Sequence, residues 1–244
     1  MFLYIKTKNI LMKICYIDIP KMCCNYNSEF INNLQRITEM CKIIRLTGTS
    51  IKKMIDNQNY DCVVIGFGVT DCGDKNPVKL ENDINIPLFI ILNKEYSALT
   101  KKLEWCKELK PRKIFTVCHD YENYSKHTGI PCERIMWSSN EKLFRKYDEE
   151  YKYDICFSGV IRPEQTENWR TKIAKNFFTL ENKEKYKIYF QGKVIKNNKI
   201  VKNGKFLKNV DYAKLINWSK IVLTTTGPAD LVGTRYFEIS ASQK

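Results

Sequence analysis

Histidine is scarce in this chain, and the cysteine spacing of metal sites is missing. Two histidines and no Cys-x-x-Cys pair occur in 244 residues, and Cys23 and Cys24 are directly adjacent, which argues against a structural zinc site. Long apolar runs are missing too. No stretch approaches the roughly 18 residues that a membrane-spanning helix needs, and segment 86–92 is short and bounded by charge. The amino-terminal segment is weakly apolar but interrupted by Lys6 and Lys8, with no small-residue cleavage site after it, so no secretory signal is expected. The ten cysteines fall mostly inside apolar strand patterns, as at Cys15, Cys62, Cys118 and Cys156. They read as reduced core thiols, and the chain as a soluble, cytoplasmic protein.

What the chain has is material for a core. It is 43% hydrophobic and 12% aromatic, and 244 residues fit one large domain or two small ones. The formal net charge is +14, mostly from lysine. A basic surface attracts nucleic acid, anionic membranes or phosphorylated substrates. The lysines are spread widely, and the Asn-rich run 193–208 reads as a solvated, poorly ordered loop rather than a groove with aromatic stacking platforms. That pattern weighs against specific nucleic-acid binding, while peripheral contact with anionic surfaces is compatible with it.

Taken in order, residues 12–19 alternate as a buried first strand, which leaves the first eleven as a leader. A helix capped by Asn27 or Ser28 follows, with Phe30, Ile31, Leu34, Ile37 and Met40 along one face, and 42–46 is a second strand. Residues 47–50 form a turn and cap before a short helix at 51–57, and the continuous apolar run 61–67 is a third strand. A polar loop at 68–85 precedes a strand at 86–92, a helix at 97–109, a strand at 113–118 and short helices at 121–129 and 141–147. Apolar strands alternating with amphipathic helices predict a parallel sheet covered on both faces.

From Asp148 the pattern breaks into charged, turn-like residues, which places a domain boundary between 1–148 and 149–244. The rhythm then restarts. A strand at 154–157, a loop at 158–163, a helix at 164–178 with Trp169, Ile173 and Phe177 as apolar positions, a strand at 186–190, a helix at 212–218 and a strand at 220–223 lead to a last helix opening at Gly233. The predicted fold is α/β, with two tandem Rossmann-like domains, parallel sheets and an interdomain cleft. No internal repeat of short period is present.

Open α/β sheets bind ligands at the carboxyl ends of their strands. In the second half those positions are 158–162, Gln191 with Gly192, and 224–238. After the last strand, Thr224, Thr225, Thr226 and Gly227 lead to Gly233, Thr234 and Arg235. Loop N–H groups, a helix N-terminus and a guanidinium together suit a phosphate. Glu238 lies one turn beyond Arg235, so its carboxylate can face sugar or ribose hydroxyls from the same side. The spacing equally fits an i,i+3 surface pair worth roughly 0.2 to 0.5 kcal/mol.

The segments YDICFSGVIRP at 153–163, LINWSKIVLTTTG at 215–227 and GTRYFEISAS at 233–242 resemble the donor domain of GT-B-fold glycosyltransferases, particularly the group 1 and spore-maturation-like families. The stretch 137–144 is similar to their interdomain link. The resemblance implies that the second domain binds a nucleotide sugar, with Glu238 toward ribose or sugar hydroxyls and Arg235 and Arg162 toward the phosphates. It also implies close backbone approach at Gly159 and Gly227, with Thr226, Gly233 and Thr234 in the same donor site. In those families a further strand and helices follow the Arg-x-x-Glu helix, whereas this chain ends at Lys244, so an incomplete donor domain is expected.

A base for sugar transfer must come from the first domain, where the strand-end candidates are Asp18, Asp71 and His119 with Asp120. His119 is the sharpest of these, because an ordinary imidazole pKa of about 6.5 suits proton transfer at neutral pH. The alternative is that His119-Asp120 caps the helix at Tyr121. Asp71 and Asp74 have metal-ligand chemistry, but an isolated Asp-x-x-Asp in a polar loop is more often solvated. The expected activity is metal-independent transfer of a sugar from a nucleotide diphosphate sugar, the co-substrate, to a hydroxyl of a glycan, lipid or protein, with no further cofactor. The alternatives are a non-catalytic nucleotide-binding module and a basic nucleic-acid binder.

Overall fold

The computed structural model describes residues 10–19, 25–56, 58–72, 75–137, 139–158, 169, 172–173, 185–196, 199–203, 207, 209–227 and 231–242. The chain divides into two compact units, Met1–Trp137 and Ser138–Lys244. Each holds one sheet.

In the first unit the order is β1 (Ile10–Asp18), α1 (Asn25–Ile37), β2 (Thr38–Arg45), α2 (Ile51–Ile55), β3 (Cys62–Ile65), α3 (Phe67–Thr70), β4 (Leu88–Ile91), α4 (Leu99–Leu109), β5 (Lys113–Thr116), α5 (Tyr121–Thr128) and β6 (Cys132–Arg134). The strands lie in the order β2-β1-β3-β4-β5-β6, and every neighbouring pair is parallel. All of β3 is buried, as a continuous apolar strand must be when both faces of its sheet are covered. Ile14 and Tyr16 of β1, Ile31 of α1, Val64 of β3 and Phe67 of α3 share one core, and Trp137 stacks on Phe67 with ring centroids 5.3 Å apart. The N-cap expected near residue 50 is Ser50, whose hydroxyl accepts from the Lys53 amide.

Several elements differ from the sequence expectation. The first strand begins at Ile10 rather than Met12. β2 starts at Thr38, directly after α1, so Met40 belongs to a strand and not to the helical face. The region expected as a polar loop opens with a fully buried helical turn, α3, because Phe67 and Val69 are apolar enough to enter the core. β6 was not anticipated. In place of the helix expected at 141–147, residues 141–145 form turns and 146–147 are irregular, with Asn140 Oδ1 accepting from the amides of Lys142 and Leu143.

The second unit contains β7 (Tyr153–Ser158), β8 (Ile188–Lys196), β9 (Lys199–Asn203), α6 (Asn209–Asn217), β10 (Ser219–Leu223) and α7 (Thr234–Ala241). Its sheet runs β10-β7-β8-β9, with β10, β7 and β8 parallel and β9 antiparallel to β8. The run read as a solvated loop is therefore largely a β-hairpin. In the backbone register Val194 lies opposite Val201 and Ile195 opposite Ile200, positions whose β-branched residue types favour strand. Most of the expected helix at 164–178 lies outside the described residues; Trp169, Lys172 and Ile173 are helical, and Trp169 is 70% exposed rather than core-facing.

The segment between Trp137 and Asp148 belongs with the second unit. Phe144 is buried in its core beside Tyr212, Leu215 and Ile216 of α6 and Ile239 of α7. Asn217 ties the segment down, accepting from the Tyr147 amide at 2.9 Å and donating to the Arg145 carbonyl at 3.0 Å. The cysteines singled out from the strand patterns are buried and unpaired. Burial pushes the thiols of Cys15 and Cys156 up to about 12 and that of Cys62 up to about 11, which leaves them unreactive. No helix among the described residues is long and apolar enough to cross a membrane.

Candidate functional site

Strand order decides where an α/β sheet opens a crevice: at the point where successive connections leave in opposite directions. In the second unit that point lies between β7 and β10. Leu223 pairs with Phe157, so β7 and β10 end side by side, at Ser158 and Leu223. Gly159 and Arg162 lie outside the described residues. The loop after β10 is held by the Gly227 amide, which donates to the Leu231 carbonyl at 2.7 Å. A Cβ at Gly227 would meet that oxygen at 3.5 Å, an ordinary contact, so the protein itself does not require glycine there.

Gly233 is the N-cap of α7 in extended backbone, and no atom of the described residues lies within 4 Å of the place a Cβ would take. Thr226, Thr234, Arg235 and Glu238 are all half-buried. Burial raises the Glu238 carboxyl above its ordinary value, offset in part by the Arg235 charge and by hydrogen bonds from Thr234 and Tyr212. Arg235 and Glu238 are thus not a solvated surface pair. Close by in the chain, Thr224 Oγ1 is closed to solvent and has no hydrogen-bond partner among the described residues.

In the first unit the order β2-β1-β3 puts the corresponding point between β1 and β3. Asp18, the last residue of β1, is 1% exposed there, with Oδ1 accepting from the Ile19 amide at 2.7 Å. The backbone of α3 presses on it, since a Cβ at Gly68 would collide with Asp18 Oδ1. Asp71 is buried rather than solvated, and its Oδ2 lies 2.7 Å from Lys94 Nζ. Asp74 lies outside the described residues. His119 and Asp120 are exposed. Asp120 occupies the N-cap position of α5, with its carboxylate accepting from Asn123 Nδ2 rather than from a backbone amide.

Among the described residues of the first unit, the buried polar side chains are Asp18, Thr70, Asp71, Asn93, Glu95, Lys102 and Thr116. All but Lys102 stand at or just beyond the carboxyl ends of β1, β3, β4 and β5. Lys102 reaches that edge from α4, with Nζ donating to the carbonyls of Asn93 at 2.7 Å and Lys94 at 3.0 Å. Burial lowers its pKa, and the nearby Cys72, Glu95 and Asp71 partly restore it. Thr116 Oγ1 donates to Glu95 Oε1 and accepts from the Cys118 amide at 3.0 Å. Sequence reasoning missed Asn93, Glu95, Lys102 and Thr116. The polar triplet Asn93-Lys94-Glu95 directly after an apolar strand was the available signal; a buried lysine carries none, because lysine is almost always exposed.

Among the described residues, no group of three or more His, Cys, Asp or Glu side chains is placed to hold a metal ion. Comparisons with models of known protein families, with curated proteins and with solved structures found no match. Function is therefore read from the site itself.

Proposed function

We propose that the protein is a glycosyltransferase that moves a sugar from a nucleoside diphosphate sugar to an acceptor hydroxyl. The second unit holds the donor. The observation that carries this reading is the parallel pairing of β7 with β10, whose carboxyl ends at Ser158 and Leu223 lie side by side, with α7 opening at Gly233 soon after β10. Backbone amides at that helix start and the Arg235 guanidinium match a diphosphate, and positive groups fixed there stabilise the charge that builds on the leaving nucleoside diphosphate. Arg162, following β7, would supply a second cation to the same phosphates. Glu238, one turn further along α7, accepts hydrogen bonds from ribose or sugar hydroxyls. A carboxylate and an arginine on one face of a helix fit the mixed charge and hydroxyl pattern of a nucleotide sugar better than they fit a bare phosphate.

Calorimetric titration with UDP, GDP, ADP, dTDP and their sugar conjugates tests the reading. At least one nucleotide should bind, and Glu238→Ala should weaken that binding by about tenfold or more, equivalent to roughly 1.4 kcal/mol. Failure of every nucleotide to bind would refute it.

A further inference from the structure

We infer that the β8–β9 hairpin of the second unit binds an anionic phospholipid surface, with Lys193, Lys196, Lys199 and Lys202 as its cations. The starting point is a spacing. Lysine recurs at every third position through 193, 196, 199, 202, 205 and 208, and from Lys185 to Val210 the chain contains no Asp, Glu or Arg. Strand positions alternate between faces with a period of two, so a period of three is not the ordinary pattern of a solvated sheet face.

The register turns this spacing into a cluster. Lys193 lies opposite Lys202 and Lys196 opposite Lys199, and β9 is the last strand of its sheet among the described residues. Like charges at directly opposite positions destabilise a strand pair. Both pairs are lysine on lysine, in a stretch with no carboxylate of its own to offset them. Strands rise about 3.4 Å per residue and lie about 4.8 Å apart, so the four backbone positions span about 10 Å by 5 Å. The Debye length at moderate salt is about 10 Å, so the four charges act on a partner together. An anionic partner relieves the repulsion that the hairpin carries alone.

Residue types decide which polyanion fits. Proteins that bind single-stranded nucleic acid without reading its sequence rely on aromatic platforms for stacking, and arginine is the residue of choice where a phosphate is gripped by two hydrogen bonds. Between Gln191 and Asn203 there is no aromatic residue and no arginine. A bilayer needs neither, because its summed headgroup charge attracts each lysine near the surface and strengthens binding about fivefold per lysine. Vesicle binding by the hairpin requires no nucleotide, so this site and the donor site can fail separately.

Co-sedimentation of the full chain with vesicles tests the hairpin. The protein should bind vesicles of phosphatidylcholine with about one quarter phosphatidylserine, should not bind phosphatidylcholine alone, and should release as sodium chloride rises from about 0.1 to about 0.5 M. Lys196→Gln together with Lys199→Gln should weaken binding about 25-fold, from about fivefold for each lysine. Lys196→Arg with Lys199→Arg keeps the charge and should bind as the parent does. Lys101→Gln with Lys126→Gln, at exposed positions of the first unit, changes the net charge equally and should weaken binding by about twofold or less. If the first glutamine pair does not fold, Lys193→Gln with Lys202→Gln decides the matter. The site is overturned by absence of binding to the phosphatidylserine vesicles, or by equal losses in the hairpin and first-unit variants. Hairpin-dependent binding to single-stranded DNA without binding to vesicles overturns it as well.

Discussion

At Glu238, burial and charge pull in opposite directions, and burial wins. The folded carboxyl sits above its ordinary value of 4.5 despite Arg235 beside it. The folded state therefore favours the protonated acid. Its contribution to stability is fully present below pH 4.5, is lost as the pH rises through the raised folded value, and stays lost at neutral pH. Glu238→Gln removes that dependence: melting temperatures measured from pH 4 to pH 8 should fall less with pH in the variant than in the parent, while nucleotide binding weakens. A parallel pair of profiles would contradict the assignment of burial as the dominant cause. Gly66 is a second residue whose role is steric. A Cβ there would sit 2.5 Å from ring atoms of Tyr16, which is fully buried, so nothing can give without repacking the β1–β3 core. Gly66→Ala should destabilise by about 1–3 kcal/mol in urea denaturation. Arg235 and Glu238 were legible in the sequence because an i,i+3 spacing after a glycine needs only local geometry. Glu95 and Lys102 were not, because burial of a charged side chain depends on which carbonyls and hydroxyls the rest of the fold brings to it.

At the scale of elements, short-range chemistry overrode composition. The hairpin of β8 and β9 forms where lysine and asparagine counts favour a loop, and the β-branched types at 194, 195, 200 and 201 are the strand-favouring positions in its register. The turns at 141–145 replace an expected helix. Asn140 holds the first two amides itself, and the chain is then committed to α6 through Asn217, which is 2% exposed and bonds Tyr147, Arg145 and Ala213. Asn217→Ala removes the hydrogen bonds to the part-buried Tyr147 amide and to the Arg145 carbonyl and should cost about 1–3 kcal/mol. Hydrogen exchange should show the loss of protection concentrated at the Tyr147 amide and in α6. Exchange unchanged at Tyr147 would mean that the segment is held by Phe144 packing alone. β6 escaped the sequence reading because a three-residue strand is too short to display a period.

The whole molecule comprises two compact units, each with its own sheet and its own buried cluster. A fragment spanning Met1–Trp137 should accordingly fold by itself, with one cooperative thermal transition and dispersed amide resonances; a fragment without a cooperative transition would show that its core is not autonomous. The sequence by itself determined the α/β alternation, the ends of most strands and the Arg-x-x-Glu spacing of α7, since hydrophobic period and turn chemistry are properties of neighbouring residues. Only the tertiary structure decided the strand orders β2-β1-β3-β4-β5-β6 and β10-β7-β8-β9. Those orders put the carboxyl ends of β7 and β10 side by side and gathered Asp71, Glu95 and Lys102 at one buried edge. The physical reason is that strand pairing joins backbones far apart in the chain, and any apolar strand can pair with any other until helices and loops exclude the alternatives.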